Sequence, residues 1–201
     1  MLLRKKQEIE NWLNQYNIRN YELIQNAKYG YVVNVNNNVD LYNRNLKSID
    51  IKFNHVTGWF DCSENELTSL EGCPNIVNGD FYCSYNQLTS LKYCPRVIFG
   101  SLYCRKNKLI SLNDCCHTIV DGNFNCTIND LTIKGLEKLP LINKKIELFG
   151  NKQLGYLENI TDFNELKNKL NEVFNLEKEK ENLLKLINNE NLINNKNINK
   201  I

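Results

Sequence analysis

Glycine recurs at positions 58, 79, 100 and 122, in steps of 21, 21 and 22 residues, and the residues around it repeat with it. GWFDCSENELTSLEGCPNIVN begins at Gly58, GDFYCSYNQLTSLKYCPRVIF at Gly79, and GSLYCRKNKLISLNDCCHTIVD at Gly100. GNFNCTINDLTIKGLEKLP follows from Gly122. A period this short commits a chain to stacking one small unit on the next, because no single unit can bury its own apolar face. Five columns keep the step: Val56/Val77/Ile98/Val120/Ile142, Phe60/Phe81/Leu102/Phe124/Ile146, Cys62/Cys83/Cys104/Cys126/Leu148, Asn65/Asn86/Asn107/Asn129/Asn151 and Leu67/Leu88/Leu109/Leu131. Leu154 extends the last column one residue late, and VDLYNRNL is a degenerate earlier copy through Val39, Leu41 and Leu46. The columns predict six coils from about Val39 to Leu154.

Within a coil, V-x-G-x-F-x-C alternates with period two, which predicts one strand with Val56, Phe60 and Cys62 inward. Asp61 and Ser63 then face outward. A coil that returns to its start lays its strand parallel to the previous one and buries a continuous core. The Asn column falls where the chain turns inward and leaves backbone groups out of reach of water. A carboxamide both donates and accepts, so it can satisfy those groups and link neighbouring coils.

The pattern F-x-C-x-x-N-x-L matches the leucine-rich-repeat consensus, with Cys in place of one Leu. NELTSLEGCPNIVNGDFYCSYNQLTSL resembles the short repeats of bacteriophage and giant-virus leucine-rich-repeat proteins and, more distantly, those of bacterial effector ubiquitin ligases. The resemblance covers roughly residues 39–154. It implies an α/β solenoid with a parallel strand face that serves as a scaffold for binding. The effector ligases carry a large C-terminal catalytic domain, whereas only about 40 residues follow the last coil here, so ligase activity is not implied. The phage-type resemblance further implies a virus-encoded protein acting in a host cytoplasm, for example as an inhibitor of a bacterial defence complex such as a CRISPR effector.

Residues 2–16 read as an amphipathic helix with Ile9, Trp12, Leu13 and Tyr16 on one face. The alternating stretch around Gly30 reads as a hairpin leading into the first coil. Residues 1–38 are therefore expected to form an N-terminal cap, 39–160 the solenoid, and 161–201 a C-terminal helical cap with a polar tail. Asp162 followed by Glu165 is a helix-start signature, and Phe163, Leu166, Leu170 and Val173 form an apolar stripe. EKEKEN, Glu177 to Asn182, is expected to interrupt the helix before Leu183, Leu184 and Ile187. Heptads counted from Leu166 place Glu177 and Lys180 on the seam, against a long coiled coil.

The net charge of +2 supplies no strong field toward nucleic acid or an anionic membrane. MLLRKKQEIENWL has no apolar signal core, and no run of about 18 apolar residues offers a membrane span. These features predict a cytoplasmic protein. The eight cysteines contain no C-x-x-C pair, and two of their columns point into the coils, so they read as buried thiols. Cys115-Cys116-His117 is the one tight cluster, and its Cys115 belongs to a core column. Neither His55 nor His117 accompanies a nucleophile motif, and no phosphate-binding glycine loop occurs. The sequence thus implies no enzyme, cofactor or metal.

The outward strand positions need not repeat, and there the chain is individual. One column runs Asp40, Asp61, Tyr82, Tyr103, Asn125, Glu147, and the next runs Tyr42, Ser63, Ser84, Arg105, Thr127, Phe149. Glu64, Tyr85, Lys106 and Ile128 lie beside them, with Trp59 and Phe99 at the strand starts. Aromatic rings and Arg dominate protein interfaces. The expected partner-binding residues are accordingly Trp59, Asp61, Tyr82, Tyr85, Tyr103, Arg105, Lys106 and Lys108. Nucleic acid is the competing partner, with the tyrosines stacking on bases and the basic trio meeting phosphates. Oligomerisation through the C-terminal helix is a third reading.

Overall fold

A computed structural model of the chain describes residues 5–198, with side chains described as far as Lys185 except that of Leu183. Residues 2–4 of the expected first helix, and the side chains of Leu183 and Ile187, therefore lie outside the described residues. Two compact units are present, Met1–Phe163 and Asn164–Ile201.

The first unit is a parallel β-solenoid. Helix α1 (Lys6–Gln15) buries Ile9, Trp12 and Leu13. Its Trp12 ring meets Phe53 edge-on at 6.1 Å, so the helix covers the first coil. Strands β1 (Tyr21–Asn26) and β2 (Gly30–Val35) form the antiparallel hairpin that Gly30 signals, with Gly30 at φ 76°.

Beyond the hairpin, each coil contributes two short strands rather than one. β3 (Val39–Asp40), β5 (Phe60–Asp61), β7 (Phe81–Tyr82), β9 (Leu102–Tyr103), β11 (Phe124–Asn125) and β13 (Ile146–Glu147) stack in parallel as one six-stranded sheet. β4 (Phe53–Val56), β6 (Ile76–Val77), β8 (Val97–Ile98), β10 (Ile119–Val120) and β12 (Leu141–Ile142) follow β1 and β2 in a seven-stranded sheet. With the antiparallel β1 set aside, each sheet has six parallel strands, which enclose about five turns. Register follows the sequence columns, with Val39 opposite Phe60, Phe60 opposite Phe81 and Val77 opposite Ile98.

The single strand expected from V-x-G-x-F-x-C is thus a correction. The chain bends at the glycine, and Val56 and Phe60 enter the core from two different sheets. At the bend the glycines lie one above another, Gly79 N–H donating to Gly58 O at 3.0 Å and Gly100 N–H to Gly79 O at 3.1 Å. Phe60 stacks on Phe81 at 5.7 Å, and the Leu and Cys columns fill the remaining interior. Each buried ring or branched chain contributes about 2 kcal/mol relative to exposure.

Every coil turns inward after its second strand through one left-handed residue. The column is Asn43, Glu64, Tyr85, Lys106, Ile128 and Gly150, with φ between 51° and 82°. Ile128 is the worst fitted of these, because a β-branched side chain crowds its own backbone there. Ile128 is 39% exposed, so little packing depends on it. Ile128→Asn is expected to stabilise the fold by about 1 kcal/mol, seen as a higher urea midpoint. An unchanged midpoint would show that the bend costs the chain nothing.

In the second unit, α2 (Phe163–Ile198) is one helix, without the expected interruption at EKEKEN. Glu and Lys are strong helix formers, and Glu177–Lys180 and Lys178–Glu181 set opposite charges three residues apart, so the polar run still suits a helix. Leu166 and Leu170 are buried, while Leu176 and Leu184 are exposed. Among the described residues, no helix is long and apolar enough to cross a membrane.

Candidate functional site

The outer face of the six-stranded sheet carries the in-register column Asp40, Asp61, Tyr82, Tyr103, Asn125 and Glu147. Parallel pairing of β7 with β9 sets Tyr82 directly beside Tyr103. Their rings stack at 4.8 Å with planes 6° apart. Tyr82 is held further by its hydroxyl, which donates to Asp80 Oδ2 at 2.7 Å. Burial pushes the Tyr82 phenol well above its usual range, and the bond to Asp80 adds to this, so it stays protonated and keeps donating. Stacking and the Asp80 bond thus orient the Tyr82 ring on the sheet.

Tyr85 occupies the left-handed bend just past β7. Its ring is approached by Arg105 at 5.9 Å and by Lys106 Nζ at 5.0 Å. Lys106, Lys108, Gln87 and Tyr85 line a shallow groove of about 320 Å³ along the turn. Arg105, Lys106 and Lys108 are all exposed.

Asp61 sits at the other end of the column, between Asp40 and Tyr82. Burial raises its carboxyl above the usual range against the two hydrogen bonds from Ser63, and nearby Asp40 and Glu64 raise it further. The face is thus acidic on its early rungs and basic on its third aligned coil.

One expectation needs correction. Ser63 and Ser84 are buried rather than outward, because the chain is already turning inward past the cysteine; their carbonyls accept from Asn65 and Asn86. Trp59 flanks the start of β5, as its place in the repeat implies, with its N–H donating to Asn38 Oδ1 at 3.1 Å. Among the described residues no ring contact joins Trp59 to the tyrosines. The structure therefore gathers Tyr82, Tyr85, Tyr103, Arg105, Lys106 and Lys108, with Asp61 adjoining and Trp59 apart.

Six of the eight cysteines lie in the core. All eight are free, and Cys62, Cys73, Cys83, Cys104, Cys115 and Cys126 are buried. Burial lifts the Cys83, Cys104 and Cys115 thiols well above their usual range, which suppresses the thiolate needed for nucleophilic or metal chemistry. Among the described residues, no three His, Cys, Asp or Glu side chains gather as a metal site requires.

Sequence reasoning passed over a second concavity. It lies between the hairpin turn at Lys28–Tyr29 and the coil backs at Tyr93–Arg96 and Asp114–Thr118, with a volume of about 440 Å³. Its coil residues fall in repeat columns such as Asn75/Arg96/Thr118 and Cys94/Cys115, but those columns vary in residue type and Lys28 and Tyr29 come from outside the repeat, so no periodicity marks the group.

No protein-family model, curated protein or solved structure matches the chain.

Proposed function

We propose that this chain is a non-enzymatic leucine-rich-repeat module that binds a protein partner through the outer face of its six-stranded sheet. The observation that carries this reading is the stacked Tyr82–Tyr103 pair, fixed to adjacent rungs and flanked by Tyr85 with its two cations. Rings pre-oriented by stacking lose less entropy on binding than free ones, and aromatic and Arg side chains are the usual anchors of an interface. The charge gradient from Asp40 and Asp61 to Arg105, Lys106 and Lys108 gives the face a direction, which fixes the orientation of a polar partner. The F-x-C-x-x-N-x-L columns support the repeat class, and the phage-type resemblance directs the search to bacterial defence complexes such as CRISPR effectors.

The test is affinity capture from bacterial lysate with the full chain and with Tyr82→Ala/Tyr103→Ala. Both side chains lie outside the core, so the double variant keeps its far-ultraviolet spectrum while partner recovery falls at least tenfold, as for loss of a hot spot worth about 2 kcal/mol. Equal recovery by both proteins would sink the assignment.

A nucleic-acid strand is the competing occupant, because the Tyr85–Arg105–Lys106 cluster suits a stacked base beside phosphates. Three phosphate contacts to a single strand weaken binding roughly tenfold or more between about 50 and 200 mM salt. Binding that is nearly salt-independent excludes that occupant.

A further inference from the structure

We propose that the second concavity is a binding site for a small phosphorylated, ring-bearing molecule of the nucleoside phosphate class, with Lys28, Lys52 and Arg96 meeting the phosphate and Tyr29 and Tyr93 the ring. Those three cations and the imidazole of His117 line one cavity of about 440 Å³ with one lining carboxylate, that of Asp114, while Glu71 lies outside the lining and acts on Lys28 and Lys52 from nearby. The Asp114 carboxylate already accepts from Ser90 Oγ. The volume lies in the usual range for small-ligand sites, roughly 300–1,000 Å³.

Three further features separate this place from an ordinary basic surface. First, Lys52 is half-buried and donates to the Cys73 carbonyl, one use of an ammonium that has three donors. Burial holds its pKa below the ordinary lysine range, so the cation stands in a poorly solvated position that a bound anion would relieve.

Second, Tyr93 adopts φ 69° at the position where the preceding coil places Gly72 at φ 101°. A bulky residue in the left-handed region is strained, and the chain uses one where its own repeat shows that glycine serves. The strained ring is 46% exposed and lines the cavity, with Lys92 Nζ 5.2 Å from its centre.

Third, the hairpin tip that carries the opposite wall is fixed. Asn26 Oδ1 accepts from the Lys28 and Tyr29 backbone N–H groups at 2.9 and 3.1 Å, which fixes the turn from which both side chains project. Lysine and arginine together suit a phosphoryl group, and tyrosine faces accept any base.

The experiment is an ¹⁵N-resolved NMR titration of the full chain with adenosine or uridine 5′-monophosphate, against adenosine and inorganic phosphate as separate probes. The nucleotides shift the amides of Tyr29, Tyr93 and Thr118 and saturate, with adenosine and phosphate each at least tenfold weaker. Lys28→Gln/Arg96→Gln changes only exposed side chains, and it lowers nucleotide affinity by roughly tenfold or more at an unchanged melting temperature. Lys52→Met, checked for folding by the same spectra, does likewise. No saturation by about 10 mM, undiminished affinity in the double variant, or phosphate binding as tight as nucleotide would each overturn the proposal.

Discussion

Replacing Gly100 by Ala is expected to unfold the solenoid at a urea midpoint far below that of the natural chain. A Cβ built on Gly100 lies 2.6 Å from the Gly79 carbonyl carbon and 2.7 Å from the Asp80 amide nitrogen, and it also meets the Asp80 carboxylate. Two of these neighbours are backbone, so no rotamer change relieves the overlap. The coils must part at the bend, which stretches the 3.1 Å bond from Gly100 N–H to Gly79 O and the bond from Ser101 N–H to Asp80 Oδ1. Overpacking of this kind with loss of backbone pairing costs about 3 kcal/mol or more. For a chain of this size the melting temperature falls by roughly 6–12 °C. Circular dichroism against urea and temperature checks both numbers. A loss under about 1 kcal/mol would mean that the corner is not close-packed and that the glycine column has another cause.

The glycine column was visible from the first reading, but its cause was not. In V-x-G-x-F the inward residues keep period two straight through the bend, so one strand and two strands meeting at a corner leave the same pattern. Stacking requires like residues at like positions, which is why the Val, Phe, Cys, Asn and Leu columns and the in-register Tyr82–Tyr103 pair were legible. Left-handed bends were hidden because Glu64, Tyr85, Lys106 and Ile128 occupy them. Only the first and last members of that column, Asn43 and Gly150, are the residue types such a bend prefers.

Ser63 and Ser84 were misplaced for a related reason. Alternation holds only while the chain stays extended, and it turns inward one residue earlier than the strand pattern implies. The second cavity had no signal of this kind. Lys28 comes from the hairpin, Lys52 from the approach to β4, and Tyr93 and Arg96 from one coil's back, a grouping that only the folded coils create.

Truncating the interior rung of the carboxamide ladder, Asn86→Ala, is the second large effect expected. Asn86 Oδ1 accepts from Leu67 N–H at 2.9 Å in the preceding coil. Its Nδ2 donates to Cys62 O at 3.0 Å, also in that coil, and to Cys83 O and Ser84 O at 3.2 Å in its own. Asn65 and Asn107 repeat the arrangement on either side, so each carboxamide binds its coil to the one before. Alanine strands the buried Leu67 N–H, while the Cys62 carbonyl keeps only its bond from Asn65 Nδ2 at 3.0 Å. A stranded N–H costs roughly 1–3 kcal/mol and each lost carbonyl bond up to about 1 kcal/mol more, so the variant loses about 2–4 kcal/mol. Asn86→Asp fares no better at neutral pH. Its carboxylate still accepts from Leu67 but brings acceptor oxygen against three carbonyls that had been receiving a donor, and it buries a charge. Hydrogen exchange separates this variant from a general loss of packing. The Leu67 amide should lose protection first, and the neighbouring coils should open with it, because each rung of a solenoid leans on its two neighbours. Uniform loss of protection across all rungs would point instead to global cooperativity and remove the special role given to the Asn column.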